Sequence, residues 1–118
     1  MWGFLDSIPK INEAARLFDF YGSLLTEKQQ SIFRLYYYDD LSLGEIAQEL
    51  NISRQAVYDL IKRTENLLKN YEDNLQLWAK YQRTENEIKN IKPILLASNI
   101  ADKERQRILA LLDSLLES

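Results

Sequence analysis

Apolar residues recur along most of this chain at intervals of three and four, as they do in helices with one face turned inward. Ile11, Ala14, Phe18, Tyr21 and Leu25 make the first stripe. Ser7, ahead of Ile8 and Pro9, is a suitable start because proline fits the first turn of a helix. At Thr26 "TEKQ" has the form of a capping box: the Thr26 hydroxyl accepts from the Gln29 amide and the Gln29 side chain reaches back. Ile32, Phe33, Leu35 and Tyr36 give this second helix its apolar face, and Asp39 with Asp40 end it, since aspartate favours turns and caps over helix interiors. Ser42 and Glu45 repeat the capping box. Asn51 suits the left-handed residue of a tight helix-helix turn, and Ser53 is placed to cap the next helix.

From Arg54 no strong helix breaker occurs until Pro93, so the pattern predicts a helical run of roughly three dozen residues, beyond the usual globular length. Leu60, Thr64, Leu68, Tyr71, Leu75 and Trp78 keep its spacing, and Tyr81, Glu85, Ile88 and Ile91 continue it less cleanly, which allows a break near Asn70 or Asn74. A last helix is expected from near Asp102 through Ile108, Leu111, Leu112 and Leu115. With no alternating run suggesting a hairpin, the expected fold is all-α, with five or six helices. The expected organisation is a single all-helical domain over 1–118, with a helix-turn-helix core at 26–69 and a helical extension at 70–118 suited to dimerisation.

The densest signal is "SLGEIAQELNISRQAVYDLIKR", Ser42 to Arg63. Ile46, Ala47 and Leu50 lie on one side of its first helix, Ile52 sits in the turn, and Val57 and Leu60 lie on one side of the second. Ala47 supplies the small residue needed where two helices cross closely. In such a unit the turn and the first turns of the second helix face the DNA major groove, which makes Ser53, Arg54, Gln55, Tyr58, Asp59 and Lys62 the exposed set. Arg54 matches guanine bidentately and Gln55 adenine, while Lys62, Arg63 and Lys69 suit phosphates. Asp59 opposes the DNA backbone unless it accepts from a cytosine amino group. Two such helices, set one helical turn apart on DNA, call for a homodimer, and the long amphipathic helix offers the means.

Composition narrows the function further. The chain of 118 residues has no cysteine and no histidine, which rules out disulfides, thiolate metal sites and the commonest general base. Its glycines, Gly3, Gly22 and Gly44, form no phosphate-binding cluster. No enzymatic activity, cofactor or metal is expected. A formal charge of −3 argues against indiscriminate nucleic-acid binding over the whole surface, though a local basic patch remains compatible with it. "MWGFLDSIPK" does not make a secretory signal and no apolar run reaches the ~18 residues of a membrane span, so the expectation is a cytoplasmic protein with no membrane insertion. In "FRLYYYDD" the helical repeat cannot bury Tyr36, Tyr37 and Tyr38 on one side. One or two are expected at the core edge with hydroxyls outward, or else as an aromatic surface for unpaired bases or a partner.

The block "LTEKQQSIFRLYYYDDLSLGEIAQELNISRQAVYDLIKRTENLL", with "LFDFYGS" before it and "KNYEDNL" after, resembles the YlxM-like family of small bacterial helix-turn-helix proteins. More distantly it resembles region four of sigma factors, a bundle of the winged-helix superfamily type, here without an evident wing. Residues 17 to 75 carry the likeness. The family resemblance implies a regulatory role in the signal recognition particle pathway of protein targeting, with the particle's GTPases or its RNA as candidate partners. Tyr58 or Tyr37 would then stack on unpaired bases. The sigma-factor resemblance implies the alternative, a DNA-binding transcriptional regulator, with Ser42–Leu50 as supporting helix and Arg54–Arg63 as recognition helix.

Overall fold

A computed structural model of the chain describes residues 8–117. Six α-helices run in order: α1 Ile8–Tyr21, α2 Glu27–Phe33, α3 Leu43–Leu50, α4 Arg54–Leu75, α5 Leu77–Ala97 and α6 Asp102–Ser114. There is no strand among the described residues, so the all-α expectation holds. No described helix is long and apolar enough to cross a membrane. Ser7, the expected start of α1, lies outside the described residues.

The local chemistry sets the helix ends much as the sequence predicts. Thr26 and Ser42 both form complete capping boxes, with Gln29 and Glu45 as their third residues, and the Ser53 hydroxyl accepts from the Ala56 amide at 3.0 Å. In the second box the Ser42 amide donates to Glu45, and this holds the Glu45 carboxyl below the usual carboxylate range. Asn51 is left-handed, with φ of 57°, and the Ile52 amide closes back on the Ala47 carbonyl at 3.1 Å. This geometry leads to a prediction. Asn51→Ala should lower stability by about 1 kcal/mol in urea unfolding while Asn51→Gly holds it, because a Cβ without asparagine's local hydrogen bonding disfavours this conformation.

Two units divide the chain, Met1–Gln76 and Leu77–Ser118. In the first, Ile32, Ile46, Ala47, Val57 and Ile61 form the helix-turn-helix core, with Leu50, Ile52 and Leu60 half-buried around them. On α4 the next buried position after Val57 is Ile61, and Leu60 is only half-buried beside it. A second layer joins α1 to α2 and α4. Phe18 stacks on Phe33 with ring centres 4.5 Å apart, Tyr21 lies 5.8 Å from Tyr71, and the Tyr21 hydroxyl donates to Glu72 at 2.5 Å. Tyr71 thus folds back onto α1.

One expectation needs correction and two are sharpened. The helical run after Arg54 is interrupted at Gln76, left-handed at φ of 54° and two residues past Asn74, near which a break is expected. Asn74 stays helical because its side-chain amide donates to the Asn70 carbonyl one turn back, at 2.9 Å. Pro93 does not end a helix, since α5 runs through it to Ala97. Finally, Arg34–Tyr38 adopts a π-helical turn, closed by the Asp39 amide on the Arg34 carbonyl at 2.9 Å and followed by left-handed Asp40. Tyr36 and Tyr37 are half-buried at the core edge and Tyr38 is exposed, and of the three the Tyr37 hydroxyl donates to Glu65.

In the second unit α5 and α6 form an antiparallel hairpin. The Arg105 guanidinium ties the joint together, donating to the Leu95, Ser98 and Ile100 carbonyls and pairing with Asp102.

Candidate nucleic-acid interface

Arg54 follows the Ser53 cap directly and so begins α4 at the mouth of the helix-turn-helix. The cap fixes where the helix starts, and Val57 and Ile61, buried against Ile46 and Ala47, fix its rotation. That rotation leaves Arg54, Gln55, Tyr58 and Asp59 exposed and Lys62 half-exposed on consecutive turns. Arg63 is also exposed, but it lies farther around the helix, one turn beyond Asp59. Lys69 is exposed nearly two turns past Lys62. Ser53 contributes its hydroxyl oxygen to the cap, so its direct part at a ligand reduces to its remaining hydroxyl proton and backbone.

Contacts within this face organise it. The Gln55 side-chain amide donates to the Asp59 carboxylate at 3.0 Å, and the Lys62 ammonium lies 5.7 Å from the centre of the Tyr58 ring. Asp59 therefore has a use beyond opposing phosphate: it anchors Gln55 and reduces the side-chain freedom that Gln55 would lose on binding. Arg54 sits between two shallow hollows. One, of about 630 Å³, is lined by Ser42, Gly44, Gln48 and Asn51 among others, and the second, of about 460 Å³, by Leu43, Gln55 and Tyr58. A Cβ on Gly44 would lie in ordinary van der Waals contact with Arg54 Cδ and Nε at 3.9 Å, so the Arg54 side chain runs alongside the first turn of α3.

A helix-turn-helix with its second helix exposed at these positions is a frame for groove binding. The chain belongs to the UPF0122 family. The family is described as "Putative helix-turn-helix protein, YlxM / p13 like", and it matches residues 8–108. A UPF0122 protein of Bacillus mycoides strain KBAB4 is 50% identical over 99 residues, covering 84% of this chain and 90% of that protein. UPF0122 proteins of Bacillus thuringiensis strain Al Hakam and Bacillus anthracis strain A0248 are each 48% identical over the same coverage. A UPF0122 helix-turn-helix supports a regulatory or DNA-binding role at that coarse level.

Electrostatics limit how such a face binds. Between Ser42 and Arg63 the cations Arg54, Lys62 and Arg63 are matched by Glu45, Glu49 and Asp59. Attraction to a polyanion must then come from the placement of a few cations, not from net charge. Glu65, three residues beyond Lys62, is a feature the periodicity did not flag. It is buried at 5% exposure, accepts from Tyr37, and burial pushes its carboxyl up to about 7. Its spacing of four from Ile61 and eight from Val57 was the one available signal.

Proposed function

We propose that this UPF0122 protein is a regulator that reads duplex DNA with the N-terminal turns of α4, while α3 supports the helix across the backbone. The observation that carries the reading is the grouping of Arg54, Gln55, Tyr58 and Lys62 on the exposed face of α4, opposite the buried Val57 and Ile61. Arg54 offers the fork that fits guanine, and Gln55, steadied by Asp59, offers an amide edge to adenine. Lys62, Arg63 and Lys69 supply phosphate contacts. The signal recognition particle remains the other implication of the family resemblance, and an accessory of that kind would use this same face. The tyrosine-rich edge is the weaker surface for stacking on RNA bases, because Tyr37 packs on Phe33 at 4.4 Å and donates its hydroxyl to Glu65.

The test is capture by the tagged full-length protein from a bacterial lysate, with bound DNA and RNA sequenced and bound proteins identified together. Enrichment of a few genomic DNA fragments is expected. On such a fragment, log affinity against log salt should have a slope of about −3 for each bound copy, from three phosphate contacts at about 0.9 each. Arg54→Glu with Lys62→Glu should weaken binding by about 1–3 kcal/mol or more and flatten the slope by about 1 for each bound copy, with unchanged helicity. Recovery of the targeting RNA or its GTPase with no DNA enrichment would overturn the DNA reading in favour of the targeting accessory. DNA binding that survives the double substitution would move the interface away from α4.

A further inference from the structure

The unit formed by α5 and α6 has a thin core. Among its described residues only Ile88 and Leu95 are buried, whereas Ile91, Ile94, Leu111 and Leu115 are 41%, 71%, 58% and 63% exposed. Two contacts show that the helices run in opposite directions. Arg105, near the start of α6, reaches the Leu95 carbonyl near the end of α5, and Lys92 pairs with Asp113 at the end of α6, 3.4 Å apart. At 3.6 residues per turn, Ile91 and Ile94 lie about 50–110° to one side of the inward face marked by Ile88 and Leu95. Leu111 and Leu115 lie in the same rotational sense from the inward Ile108 and Leu112. Equal offsets on two antiparallel helices fall on the same side of the hairpin, so all four residues share one flank. Leu96, 63% exposed, lies on the opposite flank.

We infer that this flank is the surface through which two copies of the chain associate, α5 and α6 of one packing on α6 and α5 of the other. Together the four side chains expose apolar area on the order of 400 Å², within the range that marks an interaction site on a lone chain. A two-fold contact would bury that patch from both copies, about 800 Å², close to the apolar share of a standard homodimer interface of about 1,600 Å². The rim suits a second copy better than a strongly charged ligand: Arg83, Glu87, Glu104 and Arg107 are all exposed around the flank, two of each sign. A thin hairpin core also gives the unit a reason to associate, because about 40 residues seldom bury enough surface alone. The inference does not depend on what α4 binds.

Sedimentation equilibrium of the full-length chain tests it. The expected mass across the micromolar range is twice 13.9 kDa. Ile94→Glu with Leu111→Glu should give the single-chain mass with helicity retained, and Leu96→Glu should remain dimeric. If the double glutamate variant loses helicity, the milder Ile94→Ala with Leu111→Ala should still fold and raise the dissociation constant about tenfold or more. A wild-type protein of single-chain mass throughout would overturn the inference. So would a helical glutamate variant that stays dimeric, an alanine pair with unchanged dissociation, or Leu96→Glu dissociating as readily.

Discussion

Phe33→Ala is expected to destabilise the N-terminal unit by about 3–5 kcal/mol, the range for removing a fully enclosed aromatic ring. Phe33 is 1% exposed and stands where three elements meet. Its ring is stacked on Phe18 of α1, at 4.5 Å and 4° between planes, and on Tyr37 of the π-helical turn at 4.4 Å, and it meets the edge of Tyr38 at 6.2 Å. Removing it leaves a void bounded by flat rings, which cannot collapse into the space as flexible aliphatic chains do. The loss would be a large share of the 5–15 kcal/mol that holds a typical domain together, so the variant should melt tens of degrees lower or fail to fold at all. Phe33→Leu keeps much of the volume and should lose less than half as much. Urea unfolding of the three proteins decides the matter. A Phe33→Ala cost below about 1 kcal/mol would mean that α1 is not anchored through this stack.

The features legible in the sequence were those governed by a few neighbouring residues. Thr26, Ser42 and Ser53 cap through partners three residues away, and Asn51 turns the chain through its own backbone preference. Ile46, Ala47 and Val57 follow from helical spacing within one motif, and so does the exposure of Arg54, Gln55 and Tyr58 opposite them. What stayed hidden depends on contacts between distant parts of the chain. The π-helical turn adds a residue to an otherwise continuous pattern, and "RLYYY" carries no proline or glycine to announce it. Tyr37 and Glu65 are 28 residues apart, and neither predicts the other. Gln76 ends α4 although glutamine is a good helix former, while Asn74, a residue type associated with breaks, is satisfied within the helix. The Gln55–Asp59 contact was within reach of a local reading, since residues four apart on a helix face are neighbours. Reading Asp59 only against the DNA, as a repulsive charge or a cytosine acceptor, left its neighbour on the same face out of account.

Glu65→Gln is expected to make the protein more stable than wild type at pH 8 by about 2–3 kcal/mol, an advantage that disappears toward pH 4.5. The Glu65 carboxyl is 5% exposed beneath the tyrosine turn, and loss of water raises its pKa from 4.5 to about 7. A carboxyl raised in the folded state favours folding while it is protonated. Its penalty is absent below pH 4.5, grows as pH rises from 4.5 to 7, and is constant above that range. A shift of this size corresponds to about 3 kcal/mol at full burial, and residual solvent screening trims the figure. Tyr37 supplies the donor that keeps the carboxylate from being wholly unpaired, and glutamine's carbonyl oxygen can accept the same hydrogen bond without carrying charge. Tyr36, whose own pKa is raised first by burial and then by the Glu65 charge, reports on the same site and should titrate lower in the glutamine variant. Urea unfolding of both proteins from pH 4.5 to 8 is the measurement. Parallel stability curves would show Glu65 ionising as an ordinary surface carboxylate. Converging curves would place a titrating group inside the packing of α4 against the tyrosine turn, where stability depends on one proton.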